Sequence, residues 1–370
     1  MAKEQNRGSR WKLKSAAAAA LNSFLLNSFT GLNGGNKQNP AIKFHRKSDS
    51  YSGDRDEGGG WCGDISSCLE RTKSGYGSSR YMHKWTFFSG ILSDNASHNP
   101  DFYNWNRVKL RYCDGASFTG DGKLTTGGKR IWEAIVNDLL SKGLANAHQA
   151  LLTGCSAGGL ATFLHCDSFA RMLPKASVKC LSDAGFFLDV KDVSLNYTIR
   201  STFKAVVSLQ GVKRNLDRRC RKSMYDPELC FFPQYTLKYI TTPFFVLNSV
   251  YDAIQFHRFW VPYSADVGRT WGHCRHQLAA CNADQIAVLQ GFRHRMLKAL
   301  SYLLKDKQSG GTFITSCLTH CQSNAQELWF AVDSREYTIR PWLKQLVIGT
   351  STEEEPRRSI AGILATRAAT

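Results

Sequence analysis

Ala150-Leu151-Leu152-Thr153-Gly154-Cys155-Ser156-Ala157-Gly158 runs from a short apolar stretch into a serine set among small residues. Residues 157–172 then carry a helical pattern. Strand, tight turn and helix in that order is the setting of G-x-S-x-G, in which the serine sits on a sharp, strained corner. Small residues are needed there because bulk at 154 or 158 would press on neighbouring backbone. Such a corner lifts the Ser156 hydroxyl out of the sheet and turns the Ala157 N–H toward an oxygen that becomes negative during attack. A glycine-rich turn that merely contains a serine is the plainer reading, and the flanking strand and helix weigh against it.

Reading outward, residues 130–140 place Ile131, Ile135 and Leu139 beside Trp132, Val136 and Leu140 on adjoining helical rows, with Gly143 as a stop. Residues 178–181, 243–248 and 312–316 are short apolar runs of the kind that form buried parallel strands, and 283–304 is a long amphipathic helix. Strands alternating with helices predict an α/β fold with a mostly parallel central sheet flanked by helices. Three parts follow: a basic, poorly structured segment at 1–56, a folded body at 57–333, and a solvated tail at 334–370. The first segment joins basic residues to Leu21-Asn22-Ser23-Phe24-Leu25-Leu26. Its pattern fits a weak secretory leader, an organellar transit segment or a disordered tail equally.

The 370 residues are 42% hydrophobic and 21% charged, enough for a sizeable core. No apolar run reaches eighteen residues, so stable membrane insertion is not expected. Net charge is +18, of which the first 48 residues hold +8. A basic surface suits a polyanion. Nucleic acid is not the expected partner, because no finger, helix-turn-helix or RNA-binding signature accompanies the charge. Twelve cysteines, several in pairs four to ten residues apart, read as a disulfide framework in an oxidising compartment. No C-x-x-C occurs. Neither His273-Cys274-Arg275-His276 with Cys281 nor Cys317 with His320 and Cys321 has a zinc-finger spacing, so no metal and no other cofactor is expected. Asn95-Ala96-Ser97 and Asn196-Tyr197-Thr198 are glycosylation sequons.

A serine nucleophile needs a base, and the base an orienting acid. In this architecture the chain order is Ser, acid, His. Asp252, in the loop after strand 243–248, is the preferred acid and Asp183, after strand 178–181, its competitor. His320 follows strand 312–316 and is somewhat favoured as base over His273, His276 and His294. Gly58-Gly59-Gly60-Trp61 is a glycine-rich turn able to aim backbone N–H groups at an oxyanion, though a flexible linker has the same composition.

Together these stretches resemble the plant pectin acetylesterases, relatives of the Notum-type lipid deacylases. The matching residues are Glu57-Gly58-Gly59-Gly60-Trp61-Cys62, Gly154-Cys155-Ser156-Ala157-Gly158-Gly159, and 179–187 (KCLSDAGFF). They continue with Asn248-Ser249-Val250-Tyr251-Asp252 and Ser316-Cys317-Leu318-Thr319-His320-Cys321-Gln322, all in family order. The resemblance implies an α/β-hydrolase-like fold, with Ser156 as nucleophile, His320 as base and Asp252 as its acid. It implies oxyanion donors from the backbone of Gly60, Trp61 and Ala157, and makes Asp183 a structural acid. It further implies a secreted, disulfide-bonded glycoprotein of the cell wall that takes acetylated pectin as substrate. Oligomeric state is not implied. Two departures stand out. Residues 49–57 (DSYSGDRDE) occupy the place of the apolar strand that feeds the glycine turn, so a central sheet position is expected to be empty. The tail lacks the family's C-terminal cysteine. An inactive relative that only binds acidic wall polysaccharide is therefore the first alternative, and a lipid-ester deacylase the second.

Overall fold

The structure is a computed structural model that describes residues 24–29, 59–82, 88–122, 127–305 and 310–329. For 24–29 and for Tyr302, Leu304 and Lys305 it defines the backbone alone. Residues 1–23, 30–58, 83–87, 123–126, 306–309 and 330–370 lie outside the described residues.

Among the described residues six strands form one sheet: β1 (Phe24–Phe29), β2 (Asn106–Leu110), β3 (Gln149–Cys155), β4 (Ser177–Asp183), β5 (Phe244–Ser249) and β6 (Gly310–Thr315). Their spatial order is β2-β1-β3-β4-β5-β6. From β3 to β6 every neighbour is parallel. β1 alone runs against the sheet and pairs antiparallel with both neighbours, Leu26 opposite Val108 on one side and Leu152 on the other. The sheet position expected to be empty is thus filled, by a strand inside the 1–56 segment read as poorly structured. The filling strand comes from far upstream of Gly58 and runs in the opposite direction to β3.

The parallel strands are joined by helices, as their connections demand. A short helix, α1 (Ile65–Arg71), lies between β1 and β2; the long ones are α2 (Gly128–Ser141), α3 (Ala157–Met172), α4 (Thr198–Leu209) and α5 (Ala283–Lys305). Alternation along each strand divides the core in two. Ala150, Leu152, Val178, Cys180, Phe244 and Val246 face the larger side, against Trp132 and Val136 of α2, Leu160 and Phe163 of α3, and Met296 and Leu300 of α5. Leu151, Leu181, Phe245 and Leu247 face the other. That side is closed by Ile91, Phe102, Trp105 and Trp329, from short helical turns and loops. No helix among the described residues is long and apolar enough to cross a membrane.

Five disulfides join Cys62–Cys68, Cys155–Cys321, Cys166–Cys180, Cys220–Cys230 and Cys274–Cys281. Four close loops of 14 residues or fewer, and Cys155–Cys321 spans 166. Cys113 and Cys317 stand outside these bridges.

Candidate active site

β3 ends at Cys155 and α3 begins at Ala157, so Ser156 alone makes the corner, with φ 60° and ψ −123°. That conformation is costly for a residue with a Cβ and persists only where its surroundings enforce it. Here the enforcement is local. The Ser156 N–H donates to the Asp183 carbonyl at 3.0 Å, and the Ser156 carbonyl accepts from the Leu160 N–H at 2.9 Å, opening α3. Backbone also approaches closely at Gly159, where a Cβ would lie 2.6 Å from the Asp183 carbonyl oxygen and 2.8 Å from the Gly185 Cα. The glycine after the elbow therefore lets α3 sit on the loop leaving β4.

Asp252 follows β5 and caps a short helix, Ala253–Gln255. Its carboxylate is fully buried. Oδ1 accepts the N–H groups of Ile254 and Gln255 at 3.1 and 2.9 Å, leaving Oδ2 for the His320 ring, whose Nδ1 lies 2.7 Å away. A carboxylate at this distance fixes Nδ1 as the protonated nitrogen and leaves Nε2 as the acceptor. Burial works against protonating His320. The Asp252 charge and hydrogen bond, with the Asp183 charge, outweigh it and hold the imidazole pKa above the ordinary histidine value.

The loops carrying Asp252 and His320 are sewn together. Ala253 N–H donates to the Thr319 carbonyl at 3.1 Å, Val250 N–H to the Thr315 carbonyl at 2.9 Å, and Ser249 Oγ bonds the Cys317 carbonyl. Cys321, next to His320, is bridged to Cys155, next to Ser156, with Cα atoms 5.5 Å apart. A ring nitrogen of His320 lies within 4.8 Å of both bridge sulfurs. Among the described residues no hydrogen bond joins the Ser156 hydroxyl to the ring. The bridge brings together the residues adjacent to each in the chain, and catalytic hydrogen bonds are often long before substrate binds. The same cluster is not a thiolate metal set, because its two sulfurs are bonded to each other and the histidine is engaged by Asp252. Cys274 and Cys281 of the other histidine-rich stretch are likewise bonded to each other.

Asp183, the competing acid, accepts the Ser323 N–H and Oγ–H, both at 2.6 Å. Burial raises its pKa to about 6. It ties the segment after His320 to the end of β4 and leaves the imidazole to Asp252. His273 and His276 sit on the short helix Gly272–His276, and His294 on α5.

On the other side of the elbow, residues 59–61 make a turn with Gly60 at φ 57°. A Cβ at Gly60 meets nothing within 4 Å, so backbone conformation rather than space selects glycine. The Trp61 ring packs edge-on against Phe187 and Phe203, and its indole N–H donates to Ser117 Oγ at 2.9 Å. Ser117 Oγ in turn donates to the Ala157 carbonyl at 2.8 Å, linking the glycine turn to the elbow. Tyr112 and Ser117, buried and far along the chain from both, were not found by sequence reasoning. No motif spacing marks them, since their partners are 52 and 40 residues away.

Beyond the loop that leaves β4, a recess of about 440 Å³ is lined by Lys191, Tyr197, Arg200, Gln234 and Arg295 with Asp189. Asp189 is taken up by Arg200, at 2.9 and 2.8 Å, and by the Tyr235 hydroxyl. The recess is therefore net positive. Of the sequons, the Asn196 side chain is exposed and Asn95 half-buried.

Residues 55–350 match the pectinacetylesterase family. Pectin acetylesterase 7 of Arabidopsis thaliana is 47% identical over 281 residues, covering 74% of this chain and 71% of that protein. Pectin acetylesterase 5 of the same plant is 46% identical over 307 residues, covering 80% and 71%. Human palmitoleoyl-protein carboxylesterase NOTUM is 29% identical over 221 residues, 54% of this chain and 44% of that one. The solved structure of the Wnt deacylase Notum from Drosophila superimposes with a TM-score of 0.66 at 21% identity, covering 82% of this chain and 86% of that one, which establishes the α/β-hydrolase-like fold. By its sequence, the chain belongs to the pectinacetylesterase family.

Proposed function

We propose that this protein is a serine esterase that removes acetyl groups from pectin, with Ser156, His320 and Asp252 as its catalytic triad. The observation that carries the reading is the 2.7 Å contact of His320 with buried Asp252 on a loop bonded covalently to the residue before Ser156. Ser156 Oγ attacks the acetyl carbonyl while His320 Nε2 takes its proton, and the carbonyl oxygen becomes an oxyanion held by the N–H groups of Gly60, Trp61 and Ala157. Collapse breaks the bond to the sugar oxygen, which leaves with the proton from His320. Water then attacks acetyl-Ser156, giving up a proton to the same nitrogen, and acetate departs as Ser156 recovers its hydrogen. Asp252 remains a carboxylate throughout and stabilises the imidazolium.

Several observations favour acetylated pectin over other esters: the pectin acetylesterase names of the Arabidopsis relatives, the net charge of +18, and the cationic recess beside the loop leaving β4. Five disulfides and an exposed sequon at Asn196 suit an extracellular site of action at the cell wall. The inactive-relative alternative drew on a vacant sheet position, and β1 occupies it. Acetate release from acetylated pectin by wild type and by Ser156→Ala tests the proposal. Loss of at least about 10³-fold in kcat is expected for the variant, and undiminished release refutes the serine mechanism.

A further inference from the structure

Two of the three oxyanion donors belong to peptide units whose opposite ends are gripped by side chains. A trans peptide is planar, with its C=O and N–H pointing in opposite directions, and the described residues contain no cis bond. The Gly60 N–H shares its plane with the Gly59 carbonyl, which accepts from Arg71 Nη1 at 2.6 Å. The Trp61 N–H shares its plane with the Gly60 carbonyl, which accepts from the Tyr112 hydroxyl at 2.8 Å. Holding each carbonyl on one side turns each N–H to the other. Among the described residues neither N–H is spent on an intramolecular acceptor. Two successive N–H groups about a left-handed Gly60 form an anion-binding concavity.

We propose that Arg71 and Tyr112 are positioning residues that aim the Gly60 and Trp61 N–H groups at the oxyanion of the ester substrate. The inference rests on the serine-esterase reading above and deepens it. Three features make the pair suited to the task. Arg71 ends α1, and the Cys62–Cys68 bridge fastens that helix to the residue directly after the turn, so the guanidinium is returned to the turn by a short covalent path. Arg71 Nε also donates to the Cys113 carbonyl at 3.3 Å, and the guanidinium lies 5.0 Å from the Tyr112 ring centre, so the two grips brace each other. The hydrogen directions are determined as well. Ser117 N–H donates to the Tyr112 oxygen at 3.0 Å, which commits the Tyr112 hydrogen to Gly60. The Trp61 indole donates to Ser117 Oγ, which commits the Ser117 hydrogen to Ala157. One chain of hydrogen bonds thereby connects the turn with the elbow, where the third donor sits. Burial pushes the Tyr112 phenol far above its ordinary pKa, so it stays a donor across the working range.

The test compares Tyr112→Phe and Arg71→Lys with wild type on 4-nitrophenyl acetate, a neutral ester that makes no use of pectin contacts. Affinity for an alkylboronic acid, which becomes a tetrahedral anion when a serine adds to it, is measured beside it. Tyr112→Phe is expected to lower kcat about 10- to 100-fold with KM within twofold, and to weaken the boronate by the same factor. Arg71→Lys, which keeps one hydrogen-bonding group, is expected to lose less than about tenfold. Wild-type kcat in a folded Tyr112→Phe overturns the proposal, as does a loss in kcat with boronate affinity unchanged. Should Tyr112→Phe not fold, Arg71→Lys decides: unchanged kcat and boronate affinity overturn the proposal, and a matched loss in both supports it. Ser156→Ala separates the two levels of inference. If it is inactive while both positioning variants are fully active, only this proposal falls; if it is fully active, the serine reading falls first.

Discussion

Removing the Cys155–Cys321 bridge should cost both stability and turnover, and the two losses have different origins. In the chain-entropy description, a cross-link restricts the unfolded chain in proportion to the logarithm of the loop it closes. A separation of 166 residues gives about 5 kcal/mol at 25 °C, against about 2.7 kcal/mol for the ten-residue Cys220–Cys230 loop. Three further bridges nested inside the long loop shorten it by roughly a fifth, which changes the figure by only about 0.2 kcal/mol. Engineered and native bridges often return less than this description predicts, so a loss of about 2–5 kcal/mol is the expected range. Turnover should fall for a separate reason. The bridge joins the residue before Ser156 to the residue after His320, and a shift of about 1 Å between reacting groups is worth about 10²-fold. The assay is urea unfolding and acetyl-ester kinetics of C155A/C321A beside C220A/C230A, both in oxidised protein. C155A/C321A should be the less stable by about 1–2.5 kcal/mol and should lose about 10- to 100-fold in kcat. C220A/C230A should keep its kcat. Equal stability of the two variants would refute the loop argument, and wild-type kcat in C155A/C321A would refute the claim that the bridge holds base beside nucleophile.

Four further outcomes are expected. A general base must be unprotonated, so kcat/KM should fall as pH drops through the His320 pKa, which the Asp252 and Asp183 charges hold above the ordinary histidine value; Asp183→Asn removes one negative charge acting on that ring and should move the acid limb to lower pH while leaving the plateau within about threefold. The same variant bears on stability: Asp183 titrates at about 6 folded against 3.8 ordinarily, so the folded state binds the extra proton and loses up to about 3 kcal/mol as pH rises through that window. Urea unfolding at pH 4 and pH 7 should show a flatter pH dependence in Asp183→Asn, and an unchanged slope would contradict the assignment. K191E/R295E reverses the charge of the recess and should raise KM for acetylated pectin by about tenfold without affecting 4-nitrophenyl acetate; equal effects on both substrates would remove the recess from polysaccharide binding. Leu26→Pro deletes an N–H from a strand with neighbours on both sides and should lower stability by roughly 2–4 kcal/mol in urea unfolding, whereas no change would place residues 24–29 outside the sheet.

The parts of the site legible in the sequence are those whose chemistry is local. The Ser156 corner needs only a strand before it, small residues around it and a helix after it, and all three are contiguous. Residues 130–140, 178–181, 243–248 and 312–316 showed their period or their apolar run, and the observed elements extend them by a few residues at most. Asp252 and His320 were narrower choices, because position after a strand selects a loop but not a residue. What separates Asp252 from Asp183 is which carboxylate faces the ring and which faces Ser323, and that depends on packing between loops some 70 to 140 residues apart. Arg71, Tyr112 and Ser117 lay wholly beyond sequence reading. They act on backbone carbonyls, which every residue has, so nothing in the partner's identity points back to them.

β1 shows the opposite failure, in which a correct physical demand was paired with the wrong segment. β2 and β3 each present a row of backbone N–H and C=O groups to the space between them, and buried groups of that kind are almost always paired. An empty position there would leave two inner edges facing each other, so some strand had to enter. The stretch ahead of Gly58, with Asp49, Asp54, Asp56 and Glu57, has too little apolar character for a position covered on both faces. Phe24-Leu25-Leu26-Asn27-Ser28-Phe29 has more, and an interval of about thirty residues before the glycine turn gives the chain ample length to reach the slot from either end of the sheet. Antiparallel pairing is compatible with both neighbours because β2 and β3 run in the same direction. β1 thus ends at Phe29, about thirty residues before the glycine turn at 59–61. Among the described residues that turn is gripped by Arg71, Tyr112 and the Cys62–Cys68 bridge, the contacts to which its orientation is assigned in the proposal above.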